Sequence, residues 1–101
     1  MSDREMLELA AKAAGIDTTR CLQYEDGAFD WPGKAGRWNP LTDDGDALRL
    51  AVELRIGSVH ALLQWSEENH EDAEAAWEND PNAATRRAIV RAAAEIGKGM
   101  K

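Results

Sequence analysis

The amino-acid sequence predicts an α+β fold on three observations. Three capped segments carry helical spacing, an Asp-Gly pair sits between alternating flanks, and a later stretch alternates with a period of two. The chain of 101 residues lies within the usual size of one domain, so residues 1–101 are expected to share a single core.

The first helix is expected from Asp3 to Ala14. Ser2 and Glu5 form a capping box, and Met6, Leu7, Ala10, Ala11, Ala13 and Ala14 recur at steps of three and four. Gly15 supplies a left-handed end, and Ile16 is expected to fold back onto the last turn. Asp26-Gly27 reads as a two-residue hairpin turn. With Glu25 opposite Ala28, Tyr24 faces Phe29 and Leu22 faces Trp31, which puts all four on one core-facing side.

From Pro32 to Leu41 neither period holds, so this stretch reads as a loop pinned by Trp31 and Trp38. The second helix is expected to start near Thr42 or Asp43, with Asp43, Asp44 and Asp46 at its positive end, and to stop at Gly57. Its polar stripe is only Arg49, Glu53 and Arg55, so it is expected to be the most buried helix. Residues 58–65 alternate as a strand. Residues 70–79 fit either a helix or a strand, of which a strand is preferred, giving about four strands in all. Asp80-Pro81 opens the last helix, with Ala88, Ile89, Ala92, Ala93 and Ile96 inward and Gly97 as its end.

Hydrophobic residues make up 44% and charged residues 31%, an ordinary globular balance that argues against disorder and against a membrane protein. The net charge of -7 argues against nucleic acid meeting the average surface. Seven acids and no Lys or Arg fall within residues 66–80, so the charge is local. One cysteine, Cys21, leaves no internal disulfide, and the absence of an opening apolar run points to the cytoplasm.

Two stretches, WNPLTDDGDALRLAV (Trp38 to Val52) and DPNAATRRAIVRAAAEIG (Asp80 to Gly97), resemble the signature blocks of the phage ABA-sandwich domain family of small phage and prophage proteins. With the opening helix and the CLQYEDGAFDW hairpin, the resemblance covers nearly the whole chain, residues 58 to 79 departing by their acidity. It implies a helix, antiparallel sheet, helix sandwich of about three helices and four strands, in the cytoplasm of a host bacterium. It implies no activity, because the family has no catalytic motif to carry across.

Candidate sites divide by chemistry. Lys34, Arg37 and Trp38 form an aromatic and cationic loop suited to a protein partner, unless the tryptophan merely anchors it. The phosphate-loop alternative fails because Gly33-Lys34 is followed by Ala35, without the hydroxyl that holds magnesium. Glu67, Glu68, Glu71 and Asp72 are either a solvated edge or a charged contact for a basic partner. The Asp43, Asp44, Asp46 cluster lacks cation-loop spacing and reads as capping. His60, His70 and Cys21 lack metal-ligand spacing, so no metal or cofactor is expected.

Arg87, Arg91 and Lys98, with Arg86 beside them, could contact nucleic-acid phosphates from one helix face or simply be a solvated stripe. No nucleophile, base and orienting group recur together, so an enzyme is not expected. The leading expectation is a non-enzymatic phage accessory protein that binds a host or phage protein, with antagonism of a host defence among its roles. The alternative is a nucleic-acid-binding protein using the stripe of the last helix.

Overall fold

Three helices among the described residues each begin where a short side-chain oxygen receives a backbone amide. In the computed structural model, which describes residues 2–16, 18, 22–30, 36–56 and 79–100, Ser2 accepts from the Glu5 amide at 3.2 Å, Asp43 from Asp46 at 2.9 Å and Asp80 from Ala83 at 3.0 Å. These caps open α1 (Asp3–Ala13), α2 (Asp44–Leu54) and α3 (Pro81–Lys98). Between α1 and α2 lie β1 (Phe29–Asp30) and β2 (Arg37–Trp38), paired antiparallel. The chain is α+β, with three helices and one two-stranded sheet among the described residues. The strand expected at 58–65, residues 70–78 of the one expected at 70–79, and Trp31 lie outside the described residues, while Asn79 at the end of that second stretch is helical. Among those described, no helix is long and apolar enough to cross a membrane.

The helix ends follow local chemistry. After α1 the Gly15 amide bonds Lys12 O and the Ile16 amide bonds Ala11 O, which folds Ile16 back onto the core as its sequence predicts. The same pair of bonds closes α2, from Arg55 to Val52 O and from Ile56 to Ala51 O. Here Arg55 takes the left-handed conformation, with φ 57°. The second helix therefore ends before the expected stop at Gly57.

The hairpin corrects the expected register by one residue. Gln23 pairs with Phe29, the Tyr24 amide bonds Ala28 O at 2.8 Å, and Glu25, Asp26 and Gly27 form a three-residue loop. Asp26 folds its carboxylate onto the Ala28 amide, and Gly27 supplies the positive φ of 95° that a loop of this length needs. The slip of one residue takes Leu22 and Tyr24 off the core face that Phe29 keeps and puts Gln23 opposite Phe29. Leu22, expected inside, is 62% exposed, whereas Phe29 is buried. Gly27 also touches α1, where a Cβ would come within 2.9 Å of Leu7 Cδ1.

The stretch read as a loop contains β2, whose Trp38 pairs with Phe29 on the core side, the rings 6.4 Å apart and inclined by 42°. This aromatic pair joins Met6 and Leu7 of α1, Leu50 of α2 and Ile89 and Val90 of α3 in one core. The most buried helix is α3, not α2: Ala84, Ala88, Ile89, Val90, Ala92, Ala93, Ala94 and Gly97 are all enclosed. Ile96, expected inward, is exposed. Gly97 does not end the helix but lies inside it, against the backbone of α1. A Cβ there would sit 2.8 Å from the Leu9 carbonyl carbon and overlap its oxygen.

Two stability predictions follow from these backbones. Gly97→Ala forces α1 and α3 apart and is expected to cost about 3 kcal/mol or more, seen as a large fall in the urea midpoint. Arg55→Gly relieves the left-handed strain at the end of α2 and is expected to stabilise by roughly 0.5–1 kcal/mol, with the midpoint rising and the slope unchanged.

Candidate protein-binding face

The apolar residues of α2 outnumber the places its buried side can offer. Asp46, Ala47, Leu50 and Ala51 face inward. That leaves Leu48 and Val52, one turn apart, pointing outward at 65% and 70% exposure. Single exposed aliphatics are ordinary, whereas these two stand on successive turns beside a hollow and make one apolar patch. On one side of this ridge is a groove of about 440 Å³, whose described lining includes Ala14, Ile16, Trp38, Leu48 and Val52. Arg49 and Glu53 stand at its edge. On the other side a smaller hollow of about 200 Å³ lies between α2 and α3, bounded by Asp44, Leu48, Thr85 and Ile89.

The first turn of α2 is fixed by its acids, each used differently. Asp43 caps the helix. Asp46 is buried and accepts from the Asn39 amide at 3.0 Å and from Arg49 at 2.7 Å. Asp44 receives Arg86 of α3 at 2.5 Å, while the same guanidinium donates to Leu41 O at 2.9 Å. Of this cluster Asp43 alone is the cap, while Asp44 and Asp46 lie in the first turn and are taken up by Arg86, Arg49 and the Asn39 amide. Through Arg86, α3 is tied to the loop before α2 and to the first turn of α2, the helix that carries the Leu48 and Val52 ridge.

The structure separates the residues singled out from sequence. Trp38 is 2% exposed, so it packs in the core and cannot meet a partner as a surface anchor. Arg37 is exposed, and its guanidinium lies 3.8 Å over the Tyr24 ring. Tyr24 in turn donates to Asp30 at 2.6 Å, and Asp30 pairs across the ribbon with Arg37. These three side chains brace the outer face of the hairpin.

Lys34, Glu67, Glu68, Glu71 and Asp72 lie outside the described residues, as do Cys21, His60 and His70. On α3, Arg87 holds Asp3 at 2.8 Å and Arg91 faces Glu95 at 3.7 Å, while Lys98 is exposed. Two of the three cations offered for phosphate contact already meet carboxylates. Sequence reasoning missed Leu48 and Val52 as surface residues because it assigned both to the core. Direction rather than number separates them: at 100° per residue Leu48 and Val52 fall on a different side of the helix from Ala47, Leu50 and Ala51.

The bond from Tyr24 to Asp30 holds the phenol above the ordinary tyrosine value of 10.0, through the hydrogen bond first, then burial and the nearby carboxylate charge. Its contribution to folding is complete below the ordinary value and is lost as pH rises through the higher folded-state value. The chain has one tyrosine, so phenolate absorbance near 295 nm reports Tyr24 alone. The titration midpoint is expected above 10.0 and to fall in Asp30→Asn.

Comparison with protein-family models, with curated proteins and with solved structures finds no match to this chain.

Proposed function

We propose that this chain is a non-enzymatic accessory protein that works by binding another protein, with the outer side of α2 as a contact face. The observation that carries this reading is the pair Leu48 and Val52, exposed on successive turns beside an open groove. The tie from Arg86 supports it, because a helix already held to its neighbour loses little freedom on binding. The acids Glu67, Glu68, Glu71 and Asp72 add electrostatic steering toward a basic host or phage protein.

Phage or prophage origin, a bacterial cytoplasmic setting and antagonism of a host defence rest on the resemblance of the Trp38 to Val52 and Asp80 to Gly97 blocks. The full helix, sheet, helix sandwich of about four strands rests on it as well. In that architecture β1 and β2 supply two of the strands. The internal pairing of Arg87 and Arg91 disfavours the nucleic-acid alternative.

The test uses tagged chain as bait in an infected host lysate, comparing wild type with a Leu48→Asp, Val52→Asp variant. Both positions are exposed, so the melting curve is expected to change by no more than about 0.5 kcal/mol in stability. Retained proteins are expected to be lost. An unchanged set of retained proteins would remove the α2 face from the contact surface.

A further inference from the structure

The outer face of α2 is complementary to itself. At 100° per residue, Leu48 and Val52 form its centre, Arg49 and Glu53 follow along one flank, and Asp44 stands on the other, with Arg55, the left-handed residue that closes the helix, just past its end. All six are exposed. Each pair of charges thus sets one cation and one anion at opposite ends. Turning the helix end over end about the point midway between Leu48 and Val52 exchanges those ends and preserves the flanks. Leu48 then meets Val52 of a copy, Arg49 comes beside Glu53 and Asp44 beside Arg55. The offsets are within roughly 3 Å, two residues' rise, which the long side chains span.

We propose that this face docks on the same face of a second copy of the chain, the two α2 helices antiparallel about a two-fold axis. The inference rests on the reading of α2 as a protein-contact face and names its occupant. A two-fold interface requires that one patch satisfy its own complement, and here the apolar centre and the charges beside it do so.

The pairs already present are kept. Asp44 holds Arg86 and Arg49 holds Asp46, but a carboxylate accepts from several donors and a guanidinium has five N–H groups to offer. A second copy therefore extends these pairs into short networks across the interface.

Sedimentation velocity of the full chain over a range of concentrations tests this, with circular dichroism melts as the control for folding. Wild type is expected to dimerise in the region of about 10 μM, and Leu48→Asp to be monomeric with its fold intact. Glu53→Arg sets two guanidiniums against each other on one flank, and the dissociation constant is expected to rise about tenfold or more. Orientation is read by cross-linking in a Cys21→Ser background with a short bismaleimide. An equal mixture of Leu48→Cys and Val52→Cys chains is expected to cross-link more than either chain alone.

A wild-type chain that stays monomeric, a dimer indifferent to Leu48→Asp and Glu53→Arg, or stronger cross-linking in the single-variant samples each overturns the proposal. If wild type is monomeric yet Leu48→Asp releases a protein captured from lysate, self-association is overturned. The wider reading of α2 as a contact face then stands.

Discussion

The close approach of α1 and α3 is the constraint to which the rest of the molecule is fitted. Gly97 lies on the Leu9 backbone, and Ala10 and Ala11 on one helix with Ala93 and Ala94 on the other are fully enclosed. Small side chains let the two backbones come near each other, and packing at that distance brings many weak dispersion contacts into play. The larger groups then find places around the seam. Met6 and Leu7 of α1, Ile89 and Val90 of α3, Leu50 of α2 and the Phe29 and Trp38 rings belong to the same core. Gly27 repeats the device at the hairpin, where its missing Cβ lets the turn rest on Leu7 and Arg4.

Charged side chains contribute placement more than energy. The exposed Arg87 to Asp3 and Arg4 to Glu8 pairs contribute at most about 1 kcal/mol each in water. Arg86 is different, since its side chain is only 17% exposed and it satisfies a backbone carbonyl and a carboxylate at once. Losing it would leave the Leu41 oxygen and Asp44 without that donor and would loosen α2 from α3. Cations that look like a basic stripe in sequence are in this way largely committed to internal tasks.

Local signals were legible because their physics is local. Ser2, Asp43, Asp80 and Gly15 act on residues within five positions, so all three helix starts and the first helix end could be read directly. The hairpin register was less legible, because Asp-Gly serves both a two-residue turn and the last two positions of a three-residue loop. Gly97 misled for a similar reason: a glycine that ends a helix and one that admits another backbone look alike in sequence. The contact face was hidden by the count of apolar residues in α2, which gives hydrophobicity without direction. Trp38 was legible as a core residue or a surface anchor, and only its pairing with Phe29 decides the matter.

The seam between α1 and α3 also has a direction. Asp3 meets Arg87, Leu9 meets Gly97 and Lys12 reaches the carbonyl of Met100, so the contacts advance together and the two helices run parallel. The partners are separated by 84 to 88 positions. Helix α1 leaves the ribosome before α3, so the surface that buries it is made later than the helix itself. At 5–20 residues per second the wait is roughly 4 to 17 seconds. During that interval Met6 and Leu7 lack the α3 side of the core, and an eleven-residue helix by itself is too short to persist in water. Folding of this chain is therefore governed by long-range closure, and its nascent form depends on avoiding other contacts until α3 is complete.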